Sequence, residues 1–220
     1  MTITPTVLSR AAGVAAVIAG LIFIGVQINH PHSDVTSVAT TEWAVRNSLK
    51  VLMAALALAG ISGMYFRQVK ESGVLGLLGF LLLGSCYLLI LSTALVSTAV
   101  LPSLSDTDPG YVNDVLAAAT GGTAEGDIGL LQTVIQVQGF AYLAGGLVFG
   151  IALYRARVLA RWAAVLLAVG GVVTVVLSEM PDALYRFLAF PNGVALIGLG
   201  YALWRSDVSG RTQAMLAVSR

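Results

Sequence analysis

The sequence predicts an all-α, polytopic transmembrane bundle of about six helices, and three observations carry that prediction. Of 220 residues, 57% are hydrophobic and only 10% charged, against about 25% charged in an ordinary soluble domain. Mean hydropathy is +0.88. The apolar residues fall into runs of roughly the 20 residues a bilayer crossing needs, separated by short polar turns. This composition excludes a soluble enzyme and leaves no length for a separate soluble domain, so residues 1–220 read as one transmembrane domain.

The first span is expected at about 11–28, between Arg10 and Pro31. It runs long for the apolar core of a signal peptide and ends without a small-x-small cleavage site, so it reads as a retained helix. A second span follows at 42–66, with Thr40 or Thr41 as the natural N-cap. After the polar turn 67–72 comes a third, 73–100, ended by Pro102. The longest connection, 103–127, is rich in Gly, Asp, Thr and Ser and holds a short candidate surface helix from Val112 to Ala119. The remaining spans are expected at 128–153, 162–178 and 187–204, ahead of a polar, basic tail.

Charge orients the bundle. Arg10, Arg67, Lys70, Arg155, Arg157, Arg161, Arg205, Arg211 and Arg220 share one side, while the 103–127 loop has acids and neither Lys nor Arg. The positive-inside rule therefore places both termini in the cytoplasm and the 103–127 loop outside, as expected of a multi-pass protein of a bacterial plasma membrane. Tyr154, Trp162 and Trp204 sit where an aromatic belt would mark the inner interface. Twelve Lys and Arg against eleven Asp and Glu leave a formal charge of +1, without the basic field that holds nucleic acid.

Several chemistries lack their residues. Cys86 is the single cysteine, so neither a disulfide nor a thiolate cluster is available. His30-Pro31-His32 lacks a third metal ligand nearby in sequence. The spacings Gly146/Gly150 and Gly73/Gly76/Gly79 follow no strand and read as helix packing. No nucleophile elbow, zincin or haem-attachment motif is present, and no metal or cofactor is expected.

The informative residues are charges where the orientation predicts few. Glu42, Arg46 and Lys50, spaced i, i+4, i+8, form one stripe on the second helix, with Lys50 about 12 Å beyond Glu42 at 1.5 Å per residue. Ionisable groups at that depth normally face a bundle interior. On the same outer half lie Trp43, Gln132 and Gln136 of the fourth span, Asn192 of the sixth, and Glu179, Asp182, Tyr185 and Arg186 around the end of the fifth. These groups either tie helix ends together through ion pairs or line a chamber.

Four local patterns, His30-Pro31, Thr40-Thr41-x-Trp43, Tyr65-x-Arg67-Gln68 and Leu159-x-Arg161-Trp162-Ala163-Ala164, resemble a group of small integral membrane proteins of actinomycete-like bacteria. That resemblance spans nearly the whole chain and implies no activity. In size, helical membrane architecture and outer-half acids on two helices, the chain also resembles the membrane-integral terpene cyclases of the drimentine and fungal meroterpenoid type. The second resemblance implies a hydrophobic, prenylated substrate arriving from the lipid. Glu179 or Asp182 would protonate it, with Glu42 as partner and Arg46, Lys50, Trp43, Gln132, Gln136, Tyr185 and Asn192 around it. The rival reading is a non-enzymatic protein that binds a membrane lipid or small amphiphile through Arg46 and Lys50, or an accessory subunit of a membrane complex.

Overall fold

The computed structural model describes residues 4–178 and 189–218, with side chains described in 4–173 and 190–206. Everything described is helix or connection. In chain order the helices are α1 (Pro5–Gly25), α2 (Val35–Val38), α3 (Thr41–Arg67), α4 (Val69–Ala99), α5 (Leu101–Leu104), α6 (Pro109–Ala119), α7 (Leu130–Ala156), α8 (Arg161–Ser178) and α9 (Ala189–Val218). Among the described residues four of them, α1, α3, α4 and α7, are long and apolar enough to cross a membrane. The chain is accordingly a membrane protein, with Leu8, Leu21, Val74 and Phe140 among the large apolar side chains on its outer surface.

The six long helices close into a ring in chain order. α1 packs on α3, α3 on α4, α4 on α7, α7 on α8, α8 on α9, and α9 returns to α1. Small residues let the backbones approach, as in many membrane bundles. A β-carbon at Gly79 of α4 would lie 2.5 Å from the Phe149 nitrogen of α7, and one at Gly150 would lie 2.7 Å from the Ala164 carbonyl oxygen of α8. The expected packing role thus fits Gly79, Gly146 and Gly150, but Gly73 does something else. At φ 55°, ψ −147° it holds a conformation an L side chain resists, and redirects the chain after one helical turn, 69–72. The long part of α4 therefore starts at the position expected for the third span.

At one end of the ring lie the first turn of α1, the α3–α4 turn and the α7–α8 turn, with Arg67, Lys70, Arg155, Arg157 and Arg161; this is the basic end. Trp162, Trp204 and Tyr154 are exposed there, and the Arg161 guanidinium stacks 4.1 Å over the Tyr154 ring. α9 continues to Val218 instead of stopping near 204. Falling hydropathy ends a membrane span, whereas a helix ends at a breaker, and no Pro occurs in that stretch.

The opposite end is capped. The 103–127 segment contains α6, which starts three residues before the expected Val112 and is not a loose surface helix. Asp108 caps it by accepting from the Tyr111 N–H at 3.0 Å, ahead of Pro109. Its buried residues Val112, Val115, Leu116 and Ala118 form a second core with Val38, Trp43, Leu101 and Ile128. Asp114 fastens the following turn, accepting from the N–H groups of Glu125 and Gly126 at 2.8 and 3.1 Å. The acids that read as an external charge pattern are thus also caps. Asp34 likewise caps α2, and the Thr36 hydroxyl and Ser37 N–H hold its carboxyl below the usual range.

Candidate functional site

α3 begins where its cap dictates. The Thr40 hydroxyl accepts from the Trp43 N–H at 3.2 Å, which sets the helical phase so that Trp43, Asn47 and Lys50 turn inward at spacings of four and three. Trp43 is 3% exposed. Its indole N–H donates to the Ser97 carbonyl at 2.9 Å, one of the last carbonyls of α4, which its own helix leaves unpaired. The buried Asn47 amide donates to the Trp43 carbonyl at 3.0 Å.

The Glu42–Arg46–Lys50 stripe exists and faces the end of α1. Arg46 meets Glu42 at 2.7 Å, with the Glu42 side chain 55% exposed. It also donates to the carbonyls of Val26, Ile28 and Asn29 at 3.0, 2.9 and 3.0 Å. An exposed i, i+4 ion pair contributes about 0.3–0.5 kcal/mol, whereas a hydrogen bond from a charged group contributes about 1.5–3 kcal/mol. Arg46 therefore works mainly as a side-chain cap for α1. It fastens the turn in which Asn29 takes the left-handed φ of 51°.

Lys50 reaches deeper. Its ammonium lies 3.1 Å from His30 Nε2, and His30 Nδ1 lies 2.8 Å from the Pro31 carbonyl. A proton on Nδ1, donated to Pro31, leaves the Nε2 lone pair to accept from Lys50, so this geometry suits the neutral imidazole. The ring stands edge-on to Trp43, centroids 6.0 Å apart. In that tautomer the Pro31 carbonyl helps to hold the ring towards Lys50.

Two cavities meet at Lys50. The upper one, about 170 Å³, lies under α6 and is lined by Gln27, His30, Asn47, Lys50 and, from the cap, Leu116 and Thr120. The lower one, about 180 Å³, shares Gln27 and Lys50 and continues between apolar walls that include Phe23, Met53, Ile90 and Tyr142. Gln138 closes its far side, with its carbonyl oxygen accepting from the Thr93 hydroxyl of α4 at 2.9 Å. The result is a cation and several amides above an oily pocket.

The remaining expected site residues lie apart from this chamber or outside the described residues. Gln136 is exposed and Gln132 half-buried on α7, and neither lines the two cavities. Asn192 is buried where α9 crosses α8, close enough that a β-carbon on Gly170 would lie 2.5 Å from its side-chain oxygen. Glu179, Asp182, Tyr185 and Arg186 lie outside the described residues. Gln27, Asn47 and Gln138 were not singled out in the sequence. A signal for Gln138 was present, since 138, 142, 145 and 149 fall on one helical row and Gly145 and Phe149 mark that row as facing α4. Among the described residues no three His, Cys, Asp or Glu side chains gather as metal ligands. No protein-family model, no curated protein and no solved structure matches the chain.

Proposed function

We propose that this is a six-span protein of a bacterial plasma membrane, both termini cytoplasmic, that binds a small amphiphile in the chamber at Lys50. The observation that carries the reading is that Lys50 lines both cavities. An ammonium inside an apolar bundle attracts an anionic or strongly accepting head group, and Gln27, Asn47 and Gln138 add amides around it. The lower pocket offers Phe23, Met53 and Ile90 to an apolar tail. The clustering of Arg67, Lys70, Arg155 and Arg161 at the opposite end supports the orientation.

Trp43 lies in the upper cavity wall and Trp162 and Trp204 at the basic end, so tryptophan fluorescence reads occupancy. Farnesoic acid should quench the purified protein at least tenfold more tightly than farnesol, and Lys50→Met should remove that difference. Equal affinity for acid and alcohol in the unaltered protein would sink the reading.

An acid-initiated cyclase is the second reading, favoured by the aromatic groups Phe23, Trp43 and Tyr142 around the same space. It assigns proton donation to Glu179 or Asp182. Glu42, exposed and held by Arg46, then has an indirect part. Isomeric products of unchanged mass from an epoxidised prenyl substrate, lost in Glu179→Gln or Asp182→Asn, would establish it over simple binding.

A further inference from the structure

Another cavity lies at the basic end, well away from Lys50. It is a groove of about 850 Å³ between the first half of α1 and the last half of α3. Its floor is small, with Ala11, Ala12, Ala15, Ala59, Ser62 and Gly63, and its rims are Leu8 and Phe66, which are 59% and 69% exposed. Arg67 lines its basic end.

The pairing of the two helices gives the groove a direction. Gly60 packs on Ala16 and Gly63 on Ala12, so stepping one turn further places Arg67 level with Leu8 and Ser9. The Ser9 hydroxyl is buried in the wall, and among the described residues no hydrogen bond reaches it. From that level the groove descends to Ala15 and Ala59, about 12 Å at 1.5 Å per residue. One leaflet of hydrocarbon is about 15 Å deep, half of about 30 Å. A cation thus stands at the mouth of an apolar channel about one leaflet deep, opening towards the lipid.

We propose that this groove is a binding site for an anionic phospholipid. One acyl chain lies on the alanine floor and the phosphate rests on Arg67. The charge sets the class of lipid, because Arg67 and the nearby Lys70 at this end attract an anion and a zwitterion gains much less. The volume is within the range of sites that enclose a small ligand. The site is independent of what Lys50 holds.

The test uses the full chain in nanodiscs doped with phosphatidylglycerol or phosphatidylcholine bearing a diazirine on one acyl chain, with crosslinks mapped by peptide. The phosphatidylglycerol probe should label residues 5–15 and 59–67 about fivefold more than the phosphatidylcholine probe, the factor expected for about 1 kcal/mol of attraction per cation. Arg67→Gln should equalise the two probes. Ala59→Phe, which fills an exposed position on the floor, should abolish labelling of both stretches while the protein keeps its elution volume. Equal labelling by the two probes in the unaltered protein, or a preference that survives Arg67→Gln, would overturn the site.

Discussion

Gly13 and Gly200 touch backbone to backbone across α1 and α9. A β-carbon on Gly13 would lie 2.7 Å from the Gly200 carbonyl oxygen, and one on Gly200 would lie 2.6 Å from that of Gly13. Seven residues along each helix the contact repeats between Gly20 and Gly193. The ring is therefore closed by two pairs of glycines on one face of each helix.

Those pairs predict a sharp contrast. Gly200→Leu places its side chain against backbone that has nowhere to move, and should destabilise by about 3 kcal/mol, the upper part of the usual overpacking range. Gly25→Ala meets nothing within 4 Å and should leave stability within about 0.5 kcal/mol, as for neutral surface changes. Denaturation of the purified protein in mild detergent measures both, and an equal effect of the two substitutions would contradict the contact.

Arg46 and Glu42 should separate in the same assay. Removing Glu42 as Glu42→Gln costs one exposed ion pair, less than about 0.5 kcal/mol. Arg46→Ala strips the carbonyls of Val26, Ile28 and Asn29 of a donor and should cost about 3 kcal/mol, from hydrogen bonds of about 1.5–3 kcal/mol partly replaced by water. Comparable losses from the two variants would mean that the ion pair, and not the cap on α1, is what matters.

The proposed orientation puts α6 outside the cell. A cysteine at the exposed Thr107, just before α6, in a Cys86→Ala background should react with an impermeant maleimide added to intact cells. Labelling confined to lysed cells would reverse the topology.

The long helices were legible where each rests on a local cause, whereas the one-turn helices α2 and α5 were not foreseen. Thr40 caps α3, and the apolar runs of α1, α3, α4 and α7 outlast a bilayer crossing; the start of α6 was missed by three residues because its cap, Asp108 followed by Pro109, went unread. The chamber was only half legible. Spacing of four put Glu42, Arg46 and Lys50 on one stripe, but a stripe does not name the neighbour it faces. Ring order does, and it set Arg46 on the end of α1. Gln132 and Gln136 drew attention as a pair, while the glutamine at the chamber is Gln138, whose row is defined by packing against α4. The buried role of α6 also hid in sequence, because Val112, Val115 and Leu116 are too few to signal a core until Trp43, Val38 and Leu101 supply the other half.

Ring closure between the first long helix and the last fixes an order of events during synthesis. α1 carries its glycine face from the moment it is made, yet the surface that covers it, at Gly193 and Gly200, is translated some 180 residues later. At about 5–20 residues per second that is about 10–40 s during which α1 has only α3 beside it. Contacts so distant in sequence are the slow ones to form. A ribosome pause or truncation before α9 would leave an open arc with an exposed glycine groove, a form that an assembly chaperone or a quality-control protease would meet before the finished ring exists.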